Sequence, residues 1–148
     1  NRIGKPGDGA AEFNYPTHIA VASDGTLWVV DSLNFRVQHL DASGKFLSAF
    51  GGIGDSAGAF DKPKGIAVDG QGHLLVVEGR NDRVQAYDSQ GQLLFTFGHT
   101  GSGAGEFFLP TGIALDGGGK VYVSDGQNRR VEIFKLNAET PGGQPIAR

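Results

Sequence analysis

Three sets of an acid, an asparagine and an arginine are the residues in this sequence whose types and spacing could do chemistry. Each acid (Asp31, Glu78 or Asp125) is followed three residues later by an asparagine and five residues later by an arginine. Three carboxylates in register could bind a cation or act as acid and base. A catalytic group is needed once rather than three times, so the repetition favours a structural role, in which the acid accepts turn amides and pairs with the arginine. The predicted structural set is Asp31, Asn34, Arg36, Glu78, Asn81, Arg83, Asp125, Asn128 and Arg130.

The composition of the chain limits the classes of protein to which it can belong. Its 148 residues are 39% hydrophobic and 20% charged, a balance typical of one globular domain. The net charge of -3 gives no electrostatic reason to expect nucleic acid or an anionic membrane as the main partner. No apolar run approaches the roughly 18 residues that a membrane span needs. The absence of cysteine excludes disulfides, a thiolate nucleophile and cysteine-ligated zinc.

The sequence is an internal repeat. Pro16, Pro63 and Pro110 are 47 residues apart, and residues 4–50, 51–97 and 98–144 align without insertion or deletion. A period in the forties points to propeller blades or helical repeats. Twelve columns are identical in all three repeats, namely those of Gly4, Gly7, Ala10, Phe13, Pro16, Ile19, Ala20, Gly25, Val29, Asn34, Arg36 and Val37.

The hydrophobic pattern within each repeat favours strands. The first repeat has short, β-branched runs at 18–22, 27–30 and 36–40, with a glycine-bearing turn between the first two. A fourth run follows at 46–50 and again at 93–97. These runs are too short for helices. The sequence therefore predicts an all-β fold, a β-propeller of four-stranded antiparallel blades.

The repeats resemble a known family. The segment GDSAGAFDKPKGIAVD at 54–69, followed by LLVVE at 74–78 and NDRV at 81–84, resembles an NHL repeat, and so do its two counterparts. The resemblance implies a propeller that usually has six blades. Members of the family include extracytoplasmic bacterial domains, sensor domains of receptor kinases, RNA- and protein-binding modules of tripartite-motif proteins, and a zinc-dependent amidating lyase. An extracytoplasmic bacterial location, periplasmic or secreted, is the one that the resemblance suggests.

Three repeats cannot close a propeller, since closed ones have roughly four to eight blades. Half of a six-bladed propeller is therefore expected, completed either by further blades of a longer chain or by a second copy. The segment TPGGQ at 140–144 contains proline and glycine where a fourth strand would lie. The predicted organisation is residues 1–3 as a remnant of a preceding fourth strand, 4–50 as blade 1, 51–97 as blade 2, 98–139 as blade 3 without its fourth strand, and 140–148 as a tail.

Function is expected where the repeats differ, because a shared scaffold specialises through its loops. Two sets of loops should share one face: the loops before the first strands and the turns between second and third strands. Apolar and aromatic residues in these loops suit a protein or peptide partner, although some could pack between blades instead. The predicted binding residues are Tyr15, His18, Leu33, Phe35, Lys62, Arg80, Phe108, Leu109, Gln127 and Arg129.

His18 is the candidate for a metal ligand, because the resemblance to the amidating lyase implies histidines near the start of first strands. A catalytic zinc needs about three protein ligands, but the column of His18 is otherwise Gly65 and Gly112. The remaining histidines, His39, His73 and His99, occupy other columns. No metal or other cofactor is therefore expected from this chain, and no serine stands in a nucleophile elbow.

RNA binding would need a basic face with stacking aromatics. Lysines and arginines do cluster near the loops, but neighbouring acids, including Glu12, Asp8 and Glu106, dilute them, so nucleic acid is not the expected partner. The sequence favours a non-catalytic binding or scaffold module. The alternative is the C-terminal half of a metal-dependent propeller enzyme resembling the peptidyl-hydroxyglycine amidating lyase.

Overall fold

The computed structural model describes residues 1–136 and the backbone of 146–147. Its main elements are three four-stranded antiparallel sheets that follow one another along the chain, which confirms the all-β fold. We call these sheets blades 1, 2 and 3 in chain order. A small parallel pair, β1 (Lys5–Pro6) and β2 (Glu12–Phe13), precedes blade 1.

Each blade is built from strands that are consecutive in the sequence. Blade 1 consists of β3 (Pro16–Val21), β4 (Leu27–Asp31), β5 (Arg36–Leu40) and β6 (Phe46–Gly51). Blade 2 consists of β7 (Pro63–Val68), β8 (Leu74–Glu78), β9 (Arg83–Tyr87) and β10 (Leu93–Phe97). Blade 3 consists of β11 (Pro110–Leu115), β12 (Lys120–Asp125), β13 (Arg130–Lys135) and β14 (Ile146–Ala147). The predicted first, second and third strands are confirmed in every blade, as are the fourth strands of blades 1 and 2.

The fourth strand of blade 3 corrects the sequence analysis, which expected none. Phe134 pairs with Ala147 and Lys135 with Ile146 in antiparallel register. The two described residues of this strand are neither proline nor glycine, so both can pair in a sheet. The predicted boundary at 139 and the segment 140–144 lie outside the described residues.

The first described strand begins at Lys5, and the role of residues 1–3 as the remnant of a preceding fourth strand stays a prediction. Ile3 nevertheless makes a contact that recurs one repeat later. A Cβ added at Gly44 would lie 2.7 Å from Cγ1 of Ile3, and a Cβ added at Gly91 would lie 2.6 Å from Cδ1 of Phe50. Both pairs are related by 47 residues, so Ile3 lies against blade 1 as the fourth-strand residue Phe50 lies against blade 2.

Alternate residues of a strand point to opposite sides of a sheet, so each blade has two faces. Both faces carry apolar residues. We call the face toward the preceding blade the leading face and the face toward the following blade the trailing face. In blade 2 the leading face, which includes Ile66, Leu74, Val76 and Tyr87, packs with Trp28, Val30 and Val37 of blade 1. The trailing face, which includes Ala67, Leu75, Val77 and Val84, packs with Ile113, Val121, Val123 and Phe134 of blade 3. The two cores of the molecule therefore lie between blades.

The segments that connect blades place a phenylalanine in each core. Phe60 is buried between blades 1 and 2, and Phe107 is buried between blades 2 and 3. The ring of Phe60 lies over Gly51, where a Cβ would come within 2.6 Å of Cδ2 and the backbone has φ of 114°. Only glycine fits both requirements. The repeated spacing of glycine and phenylalanine thus sets how closely neighbouring blades pack.

Helical structure is minor in the described part of the chain. The single turn Ser32–Asn34 is a 3-10 helix between β4 and β5. Within residues 1–136 and 146–147, no helix has the length and apolar character required to cross a membrane.

Candidate functional site

The three acids of the repeat are fully buried at the ends of the second strands. Asp31, Glu78 and Asp125 each have no exposed surface. A buried carboxylate is tolerated only when its oxygens accept several hydrogen bonds or pair with a cation. The surrounding donors therefore determine what each acid does.

Asp31 and Asp125 are held in nearly the same way. Oδ2 of Asp31 accepts hydrogen bonds from Asn34 and from Nε of Arg36, at 2.8 and 2.9 Å. Oδ2 of Asp125 accepts the equivalent bonds from Asn128 and Nε of Arg130, again at 2.8 and 2.9 Å. Both arginines also donate to backbone carbonyls of the connecting segment that precedes their own blade.

Glu78 departs from this pattern because its side chain is one methylene longer. Its carboxylate accepts the backbone N–H of Asp61 at 2.7 Å and of Lys62 at 2.9 Å, and the amide of Asn81 at 2.7 Å. Nε of Arg83 has no partner among the described residues, and its Nη2 donates to the carbonyl of Ser56. Burial raises the pKa of Glu78, although these hydrogen bonds oppose the shift.

The buried acids fix the loops that carry the variable residues. Oδ1 of Asp31 accepts the backbone N–H of Asn14, and Oδ1 of Asp125 accepts that of Phe108, both at 2.7 Å. Glu78 does the same for the loop before β7, as described above. We call residues 14–15, 61–62 and 108–109 the inner loops. Because each inner loop is anchored through its backbone, its side chains are presented from a rigid base.

A second set of turns lies beside the inner loops. These outer turns, residues 32–35, 79–82 and 126–129, join the second and third strands. Leu33 N–H donates to the carbonyl of Asn14, and Gln127 N–H donates to that of Phe108, both at 3.0 Å. Gly79 N–H similarly bonds to the carbonyl of Lys62 at 3.1 Å. Inner loops and outer turns together form one surface, which we call the loop face.

The loop face exposes apolar and cationic side chains together. Tyr15 is 65% exposed, the largest exposed fraction among the predicted binding residues with apolar side chains. Arg80 pairs with Asp61, with Nε 3.1 Å from Oδ2, on the blade 2 part of this face. The exposed predicted residues on the loop face are Tyr15, Leu33, Lys62, Arg80, Phe108, Leu109, Gln127 and Arg129.

Part of the loop face has strained backbone. Tyr15, Leu109 and Arg129 have φ of 58°, 50° and 56°. These values lie in the left-handed region, which residues other than glycine and asparagine rarely adopt. Such strain persists only where surrounding contacts over-determine it, and it often accompanies ligand binding. The buried acids supply those contacts for the inner loops.

Phe35 differs from the other predicted binding residues in its burial. It is partly buried and packs against the core between blades 1 and 2, beside Val37 and Phe60. Packing of the ring against that core accounts for an aromatic residue at this turn, so no binding partner is needed to explain it. The sequence alone left this possibility open.

Asp82 is a residue that the sequence analysis missed. It is 4% exposed, and its Oδ1 accepts the backbone N–H of Leu109 while its Oδ2 accepts the hydroxyl of Thr100, both at 2.7 Å. These bonds join the outer turn of blade 2 to the inner loop of blade 3. Asp82 occupies the repeat position that Phe35 and Arg129 occupy in the other two repeats. Three chemically unrelated residues at one position gave little indication that Asp82 would bind the next blade.

His18 lies away from the other histidines. His18 lines an apolar concavity of about 330 Å³ on the leading face of blade 1. The other lining residues include Ile3, Phe13, Ile19 and Leu40. His39 instead stacks on Trp28 with ring centroids 3.8 Å apart, and burial lowers the pKa of His39. Across the described residues, no three His, Asp or Glu side chains are grouped so that they could hold one metal ion.

Comparison with known proteins identifies the repeat. Residues 13–40, which span β2 to β5, match the sequence model of the NHL repeat. This match confirms the family resemblance of the first repeat. No curated protein sequence matches the chain significantly.

Solved structures with a similar backbone are β-propeller proteins. Hydrazine synthase of Kuenenia stuttgartiensis superimposes with a TM-score of 0.68 and 21% identity, over 94% of this chain and 36% of that one. A catalytically inactive virginiamycin B lyase from Staphylococcus aureus, solved with quinupristin, gives 0.64 and 20%, over 90% and 40%. A gluconolactonase from Xanthomonas campestris gives 0.55 and 20%, over 79% and 37%. The chain thus spans well under half the length of each of these structures, and at such identities the likeness concerns the fold alone.

Proposed function

We propose that this NHL-type propeller unit is a non-catalytic binding or scaffold module that recognises a protein or peptide through its loop face. The observation that carries the proposal is the exposure of Tyr15, Leu33, Phe108 and Leu109 on loops anchored by buried acids. Exposed apolar residues that share one surface often mark an interaction site, because burying them against a partner is favourable.

The chemistry of the loop face supports a peptide rather than a polyanion. Tyrosine and arginine are among the residues that most often dominate binding energy at protein interfaces, and phenylalanine is enriched in interface cores. Lys62 and Arg129 add positive charge, whereas Arg80 is already paired with Asp61. Anchored loops lose little conformational entropy on binding, which favours affinity.

Selection from a random peptide library against the immobilised chain tests the proposal. Replacing Tyr15 or Phe108 by Ser should weaken the selected peptides by about 10-fold or more, as expected for an interface hot spot. Leu47→Ser is the matched control, because Leu47 is also apolar and exposed but lies at the opposite end of blade 1 on β6. If no peptide is selected, or if all three variants bind alike, the loop face is not the recognition surface.

An enzyme is the second candidate, because similar folds include a lyase and a gluconolactonase. Its most specific form is a metal-dependent propeller resembling the amidating lyase, with His18 as one ligand. Formation of an amidated peptide from a C-terminal hydroxyglycine peptide in the presence of zinc, abolished by His18→Ala, would support this candidate. Turnover that His18→Ala leaves unchanged would contradict the role of His18.

A further inference from the structure

The two end faces of the molecule are apolar and have no neighbouring blade in the described chain. One is the leading face of blade 1, and the other is the trailing face of blade 3. Repeat symmetry identifies what each would contact, because both kinds of face are already paired within the chain. The leading face of blade 2 meets the trailing face of blade 1, and the leading face of blade 3 meets the trailing face of blade 2.

The leading face of blade 1 carries the same kind of apolar residues as the buried leading face of blade 2, but they are exposed. Ile19 is 53% exposed, whereas its counterpart Ile66 is 2% exposed between blades 1 and 2. Val21 is likewise exposed, whereas its counterpart Val68 packs against that core. The apolar concavity described above lies on this face.

The trailing face of blade 3 shows the same contrast. Val131 is 60% exposed, whereas its counterpart Val84 is fully buried between blades 2 and 3. Ile133 is also exposed, whereas its counterpart Ala86 is buried in the same core. Two changes on this face bring hydroxyl groups, and both hydroxyls have hydrogen-bond partners. Ser124 replaces Val77 and accepts the backbone N–H of Gly112 at 2.7 Å. Tyr122 replaces Leu75 and donates to Asp116 at 3.3 Å.

The two free faces are complementary in register. In both existing interfaces the valine of this trailing column shares a core with the isoleucine of this leading column: Val37 with Ile66, and Val84 with Ile113. The corresponding free pair is Val131 with Ile19. The chain therefore presents one unpaired copy of each half of an interface that it builds twice.

The outer edge of the junction is complementary as well. Ile3 already lies against blade 1 as Phe50 lies against blade 2. A blade that covers the leading face of blade 1 therefore needs three full strands and little of a fourth. Blade 3 supplies the three full strands β11, β12 and β13.

We propose that the trailing face of blade 3 packs on the leading face of blade 1 in a second copy of this chain, and that two such contacts close a six-bladed ring. Two-fold closure uses both faces of both copies and leaves none open to further growth. The ring would place two loop faces around one channel. This assembly does not depend on what the loop face binds.

Light scattering on the purified chain tests the proposal. At about 100 μM, above the Kd of most specific complexes, the mass should be twice 15.5 kDa, about 31 kDa. Ile19→Glu and Val131→Lys should each raise the dissociation constant about 100-fold or more, because each buries an unpaired charge in the contact. Both residues are exposed in the single chain, so circular dichroism should show that both variants fold. Ile53→Glu is the control, since Ile53 is exposed but lies in the connection before blade 2.

Mixing the two charged variants tests the register. An equimolar mixture can form one wild-type contact and one contact that pairs Glu at position 19 with Lys at position 131, so the mass near 31 kDa should return. A wild-type mass of 15.5 kDa would overturn the proposal. So would a dimer that survives both single substitutions, or a mixture that stays monomeric.

Discussion

Replacement of Asp125 by Ala tests whether the buried acids stabilise the blades. The substitution removes the acceptor of three donors: Phe108 N–H, Asn128 Nδ2 and Arg130 Nε. Loss of one partner from a buried ion pair costs about 3 to 5 kcal/mol. The side chain of Arg130 is 30% exposed and keeps a second ion pair, with Glu132 at 3.1 Å. It also keeps its bonds to backbone carbonyls of the connecting segment, and Asn128 keeps its bond to the carbonyl of Gly101. The lower end, about 3 kcal/mol, is therefore expected.

Urea unfolding followed by circular dichroism at fixed protein concentration measures this loss. Asp116→Ala is the matched control in the same blade, because Asp116 is exposed. Its carboxylate accepts the turn N–H groups of Gly118 and Lys120 and a longer hydrogen bond from the Tyr122 hydroxyl. The control should lose less than about 1 kcal/mol. The amide of Phe108 should also exchange its hydrogen faster in Asp125→Ala than in the wild type. Equal losses in the two variants, with unchanged exchange at Phe108, would refute the anchoring role of the acid.

Three further predictions concern blade 2. Ile66→Ala should lower the free energy of unfolding by about 2 to 5 kcal/mol, because it opens a cavity between blades, and a loss below about 0.5 kcal/mol in urea would contradict its burial. Arg83→Leu should destabilise the chain while leaving the affinity of a loop-face peptide intact, and by less than Arg130→Leu, since Nε of Arg83 has no partner in the described chain; loss of binding with unchanged melting would point to a functional role. Burial raises the pKa of Glu78 in the folded chain above its ordinary 4.5. The folded state is therefore more stable when Glu78 is protonated than when it is ionised. The stability of the wild type relative to Glu78→Gln should therefore fall as pH rises above about 4.5, and pH titration of urea unfolding should show no such fall if the carboxyl is hydrated.

The strands could be predicted because local signals decide them. Residues 36–40 were predicted as a strand with the same bounds that β5 has, since alternation and the flanking turns are both local in sequence. The repeat also predicted which positions would be equivalent. Backbone geometry follows from such equivalence because identical glycine and proline columns impose identical turns.

The fates of side chains could not be predicted, because they depend on the neighbouring blade. Phe35, Asp82 and Arg129 occupy one column, yet the first packs in a core, the second joins two blades and the third is exposed. Glu78 differs from Asp31 by one methylene, and Nε of Arg83 lacks the hydrogen bond to the acid that Nε of Arg36 makes. Neither outcome has a local signal in the sequence.

Anchoring the inner loops through backbone N–H groups has a consequence for how such a surface could diversify or be engineered. Asparagine, aspartate and phenylalanine at positions 14, 61 and 108 all donate the same main-chain hydrogen bond to a buried acid. Any residue except proline can make that bond, so substitutions here change the side chains of the loop face without removing the anchor. The neighbouring positions Tyr15 and Leu109 are less permissive, because their positive φ disfavours β-branched residues. A library that varies 14, 61 and 108 among all residues except proline, and omits valine, isoleucine and threonine at 15 and 109, should therefore yield folded chains that present new loop faces to peptides.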